Sequence, residues 1–237
     1  MRLLLILAAT LAAFLVACGG GDEIGPEERA ETEALLKAAA LRLEDLPSGF
    51  ILDEERFTTN EETAAEQKDN PYAPTLEDLN RFGRILAYEA TYSQEVSLSS
   101  LVTGGTLFIQ TTAAVYRDSE GASEAFEFVR QQASDPGFAD EFQKNFASSS
   151  SVEVRSATIS PMSFAAVGDD RLAFKIDITA HSADVDLDLN FVGQIVGVRR
   201  GRAINSVTVL AVGSPSPVQE LEDLARTLDE RMQDALE

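Results

Sequence analysis

One thiol, one imidazole and forty carboxylates are what this 237-residue chain offers to chemistry. The thiol, Cys18, has no second cysteine with which to close a disulfide inside the chain. The imidazole, His181, lies in "ITAHSADVD". A serine or cysteine nucleophile needs a histidine base at its side, and the pattern around His181 places it in a solvated turn between two strands. No Gly-x-Ser-x-Gly elbow, phosphate-binding Gly-Lys-Ser/Thr loop, His-Glu-x-x-His pair or Ser-x-x-Lys motif occurs. The expectation is a protein without a catalytic centre, cofactor or metal.

The carboxylates and arginines leave three patterns to weigh. Two acids could act as acid and base, as in glycosidases, but forty acids nominate no pair and there is no tryptophan to stack on a sugar. Asp184, Asp186, Asp188 and Asn190 fall at alternate positions, as in a calcium loop, yet Leu189 and Ile195 stand where an EF-hand needs glycine and glutamate. Val185, Leu187, Leu189 and Phe191 alternate with them, so the segment reads as a strand with a solvated acidic stripe. Arg199, Arg200 and Arg202 surround Gly201 in a hairpin turn. They could receive an anion or an acidic partner through the planar guanidinium fork, or simply cap the turn and pair with nearby acids.

The elements that would carry these groups begin after an unusual N-terminus. Arg2 is followed by an apolar run, Leu3 to Phe14, broken only by Thr10, and small residues lead to Cys18. That is the layout of an export signal. Residues 3 to 17 fall short of the roughly 20 apolar residues that a transmembrane helix needs. Leu15-Val16-Ala17-Cys18 resembles the bacterial lipobox, which implies cleavage before Cys18 and a lipid on its sulfur, palmitate among the acyl chains it could carry. Two or more acyl chains give stable anchoring where one is marginal. The expected organisation is a signal over 1–17, a flexible tether over 18–27 in "GGGDEIGPE", and one domain over 28–237.

Loss of Arg2 with the signal leaves 18 basic residues against 40 acids, a net charge of −22. Such a surface repels nucleic-acid phosphate and favours a monomer standing clear of anionic head groups. Within the domain the patterns predict a helix over about 28–44, closed by Pro47 and Gly49, and a polar excursion over 53–80 with a short helix near 75–81. Strands follow over about 83–94 and 105–117, then a helix capped by Asp118 or Ser119, with Ala122, Ala125, Phe126 and Val129 on one side. A second block reads as strands from "VEVRSATI", "RLAFKIDITA" and two long strands about Arg200-Gly201. The last helix, "VQELEDLARTLDERMQDAL", carries Val218, Leu221, Leu224, Leu228 and Met232 as a stripe. Sequential hairpins and one-striped helices predict an α+β fold, an antiparallel β-sheet with helices packed mainly on one face.

The segments "LRLEDLPSGF", Gly105 to Gln132, and 168–232 with "GDDRLAFKI" and "FVGQIVGVRRGRAINSVTVLAV" give the chain a further likeness. Their order resembles the sensor-like extracytoplasmic domains of bacterial lipoproteins, including those related to the extracellular domain of the mycobacterial kinase PknH. The resemblance implies sensing or binding outside the cell. The combined expectation is a lipid-anchored extracytoplasmic binding or sensor-like lipoprotein, held to the cell membrane through its N-terminus and recognising an extracellular protein or small molecule. A second reading is a carrier sheltering an apolar ligand, its cavity lined by Phe126, Phe128, Phe138, Phe142 and Phe146. A third, a carboxylate hydrolase, requires two acids about 5 to 9.5 Å apart in a cleft.

Overall fold

The structure is a computed structural model of the chain, and residues 24–94, 104–149, 153–182, 187–213 and 218–237 are described. Cys18, the signal segment, most of the tether, Asp184 and Asp186 lie outside the described residues, as does the side chain of Phe146.

Helix α1, Pro26–Ala39, opens with Pro26 in its first turn beside Glu27 and Glu28 and closes with Lys37 in its last, each suited to its end of the helix dipole. It stops five residues before the spacing predicts. Ala40 turns extended, and Ala40 and Leu41 lie buried, the Leu41 N–H donating to Thr111 Oγ1 at 3.4 Å. Burial on a sheet has overridden good helix propensity. A 3-10 turn, Leu43–Asp45, leads to strand β1, Ile51–Thr58. Two short helices follow, α2 (Asn60–Glu66) and α3 (Leu76–Phe82). Each starts with a capping box, Thr59 with Glu62 and Thr75 with Asp78.

Strands β2 (Arg84–Ser93) and β3 (Gly105–Tyr116) complete a meander with β1. Helices α4 (Ser119–Ala133) and α5 (Pro136–Ser149) then carry the chain to the far edge of the sheet, where α5 meets β4, Glu153–Pro161. From there β5 (Asp170–Ser182), β6 (Leu187–Arg200) and β7 (Ala203–Val212) return to the middle, and α6, Val218–Leu236, ends the chain. The seven strands are antiparallel throughout in the order β1-β2-β3-β7-β6-β5-β4, and the class is α+β as expected.

The helices lie on both faces of the sheet rather than mainly on one. On the first face Leu86, Tyr88, Ile109, Ala113, Val196, Val207 and Val209 pack with Leu36 and Ala39 of α1 and with Leu221, Ala225, Leu228 and Met232 of α6. Residues at the alternate positions, Ala87, Ala114 and Ile204, meet Leu79, Phe82, Ala122 and Phe126 from α3 and α4 on the second face. A third cluster on that same side gathers Phe108, Ile176, Ile178, Phe191 and Leu210 around Phe142 of α5. One-sided covering would have left half of these apolar strand positions in water, since the central strands are buried nearly end to end.

Candidate ligand cleft

Between the segment after α1 and the first half of α6 the first face is not fully closed. Asp45, Leu46 and Pro47 form one wall, and Glu220, Leu221, Asp223, Leu224 and Thr227 of α6 form the other. Thr106 and Ile109 of β3 and Val209 of β7 make the floor of a cleft of about 320 Å³. The volume lies at the lower end of the range of small-molecule sites, about 300 to 1,000 Å³.

The walls are held in place by hydrogen bonds at the ends of the segment. Asp45 accepts from the Arg42 N–H at 2.7 Å and takes the Arg231 guanidinium of α6 in a bidentate grip, both bonds 2.8 Å long. That pairing raises the Arg231 pKa. Tyr92 donates its hydroxyl to the Leu41 carbonyl at 3.0 Å, and Asn205 donates to the Ala39 carbonyl at 2.8 Å, so the chain leaving α1 is pinned to β2 and β7. Burial drives the Tyr92 hydroxyl pKa up to about 12, which keeps it a donor at any ordinary pH.

Among the described residues every charged side chain lining the cleft is acidic: Asp45, Glu220 and Asp223. Asp45 is matched by Arg231, and Asp223 by Arg226 of the same helix at 2.9 Å, with both of the latter side chains more than half exposed. Glu220 is exposed and has no ion pair among the described residues. One strand away from Val209, its cross-strand partner Gln194 keeps Oε1 buried without a donor.

The arginine turn is at the opposite end of the sheet. Gly201 takes a positive φ of 53° in the two-residue link between β6 and β7, the conformation such tight hairpins require. Arg200 grips Asp229 of α6 through Nε at 2.6 Å and Nη2 at 2.7 Å. Burial alone would raise the Asp229 carboxyl, but Arg200 and the Gly168 N–H at 3.0 Å hold it below the usual carboxylate value. Arg202 donates to the Tyr116 carbonyl at 3.2 Å. Arg199 reaches Asp169 and the Gly201 carbonyl only at 3.5 and 3.4 Å, and its Nε is buried without an acceptor. All three side chains thus face partners within the fold.

His181 stands in β5, not in the turn that its neighbours suggest, and its Nδ1 lies 2.8 Å from Asp188 Oδ1 across the β5–β6 pair. Asp188 also receives Arg155 at 2.7 Å. In the described part of the acidic stripe, Leu189 and Phe191 are buried while Asp188 and Asn190 point to the other side, as alternation requires. Among the described residues no group of three or more His, Cys, Asp and Glu could hold a metal ion, and no helix is long and apolar enough to cross a membrane. Among the described residues the phenylalanines of that group do not line a common cavity: Phe126 and Phe142 belong to separate packed clusters, Phe128 touches Phe82, and Phe138 stacks edge-on against Tyr72.

Sequence reasoning missed the cleft, because its lining comes from four segments far apart in the chain. The one signal within reach is Pro47, which ends the wall, and Glu220 and Asp223, acids on the flank of an otherwise apolar helix face.

No family model matches this chain, and no curated protein matches it. Among solved structures it is similar to the extracellular domain of PknH from Mycobacterium tuberculosis, at 10% identity and a TM-score of 0.46, covering 90% of this chain and 100% of that one. This is the domain type whose order of elements the sequence resembles.

Proposed function

We propose that the protein is a lipid-anchored extracytoplasmic binding domain, sensor-like and without catalytic activity, which receives a small ligand in the cleft beside α6. The observation that carries the reading is the cleft itself, an apolar floor open to solvent between two walls that the fold holds in place. The lipobox-like Leu15 to Cys18 supports the anchor, and the tether after it leaves the domain free of the lipid surface. The open side of the cleft and the dispersal of the phenylalanines into packed clusters support a binding module over a carrier, which would enclose its cargo.

The test is an intact mass of the protein purified from its native membrane, taken under native and then denaturing conditions. The denatured mass is expected to lack residues 1–17 and to carry lipid on Cys18, and Cys18→Ser is expected to release the protein from the membrane fraction. A retained Cys18→Ser variant, or an unmodified thiol on an uncleaved chain, would overturn the anchor. Additional small-molecule mass seen only under native conditions is expected of a ligand-binding domain.

A further inference from the structure

We infer that the cleft selects a small organic ammonium ion bearing a short hydrocarbon chain or ring. The inference rests on the proposed reading of the cleft as a ligand site and names the class of ligand.

The lining of the cleft leads to it. The floor and inner walls, Leu46, Ile109, Val209, Leu221 and Leu224, offer apolar side chains to whatever enters. A ligand must therefore bring a hydrocarbon part, whose removal from water supplies the affinity. At the mouth Arg231 and Arg226 match the carboxylates of Asp45 and Asp223, while Glu220 has no countercharge among the described residues. A carboxylate or phosphate headgroup would face like charge there, while an ammonium would supply the missing one. The formal charge of −21 adds a field over the whole surface that concentrates cations and repels anions.

The size of the space argues for a small molecule over a peptide. At about 320 Å³ the cleft fits one modest ligand, whereas a helix or strand of a partner would need a groove running the length of α6. Arg226, the partner of Asp223 at the rim, can yield to a ligand: their pair is surface-exposed on both sides and contributes little.

The test is a calorimetric titration of the full mature chain in lipid nanodiscs with hexylammonium, hexanol and hexanoate, using empty nanodiscs as the blank. Hexylammonium is expected to bind about tenfold more tightly than hexanol, with hexanoate weakest, and the difference is expected to shrink between about 20 and about 500 mM NaCl. Glu220→Gln, an exposed change that leaves the fold alone, should weaken hexylammonium several-fold and leave hexanol unchanged. Thr227→Trp, which fills the cleft from its rim, should abolish binding of all three, with its melting curve checked against the parent. Equal affinities for the three probes, all lost in Thr227→Trp, would overturn the charge selection and leave the cleft standing as a ligand site. No binding above the blank would remove the reading of the cleft altogether, and binding that Thr227→Trp leaves intact would place the ligand elsewhere and overturn the inference.

Discussion

Asp229 joins three distant parts of the chain: its own helix, the Arg200 end of β6 and the Gly168 turn before β5. Arg200 and Asp229 keep only 29% and 15% of their side chains exposed, so their bidentate pair is screened less than a surface bridge. Asp229→Asn is expected to cost about 1 to 3 kcal/mol in urea unfolding at neutral pH. The folded carboxyl titrates below its ordinary value of 3.8, so this contribution is present above that value and fades as the pH falls through the folded pKa. Parent and variant curves should therefore converge in strong acid. Glu89 has the opposite sign. It sits on the second face beside Gln110 and Arg56, 16% exposed, and burial raises its pKa above 4.5 although Arg56 at 3.4 Å pulls the other way. Its folded form binds protons more readily than the unfolded chain, so stability declines as the pH rises from about 4.5 through the folded value. Glu89→Gln should flatten that decline and gain on the parent as neutrality is approached, which a series of melting curves across the range would reveal.

Among the elements, α4 is placed by a contact that only glycine permits. A Cβ on Gly121 would stand 2.0 Å from the Phe82 carbonyl oxygen, backbone that belongs to the last turn of α3. Gly121→Ala must push α4 off α3 and is expected to cost about 1 to 3 kcal/mol in denaturant unfolding. Neighbouring Ala122 is buried in the same cluster, so Ala122→Ser would burden this contact with a hydroxyl, whereas exposed Glu120 should tolerate change. The central elements were legible in the sequence because their patterns are clean: β3 and β7 are rich in β-branched residues, and Leu221, Leu224, Leu228 and Met232 recur along α6 and are all buried. Three elements were not. β1 is an edge strand whose "LDEER" shows charge where a central strand shows apolar residues, the means by which edges avoid pairing with other chains. Its neighbour α2 is too short to display a period, and α5 begins with Pro-Gly, a pair that reads as a turn. The arginine turn was legible in place and type; its partners, Asp229 and the Tyr116 carbonyl, are brought to it by tertiary packing that no local pattern announces.

For the whole molecule, the excess of acids sets a cost that salt relieves. Forty carboxylates against nineteen basic groups repel one another in the compact state. The ion pairs on its surface are mostly exposed and together offset only part of that repulsion. Thermal stability at pH 7 is therefore expected to rise between about 20 and about 500 mM NaCl, where a protein stabilised chiefly by surface bridges would lose stability. The same molecule is joined along one seam. The pairs that hold the two meanders together run from Val115 with Ala203 to Gly105 with Val212, 88 to 107 residues apart in sequence. Closing so long a loop costs chain entropy before any contact offsets it, so the seam should form late and folding should be slow for a domain of this size. Until β7 is available, the first meander keeps β3 as an unpaired, apolar border. A nascent chain would be open there to capture by chaperones or by a second copy, and the final strand is what ends that exposure.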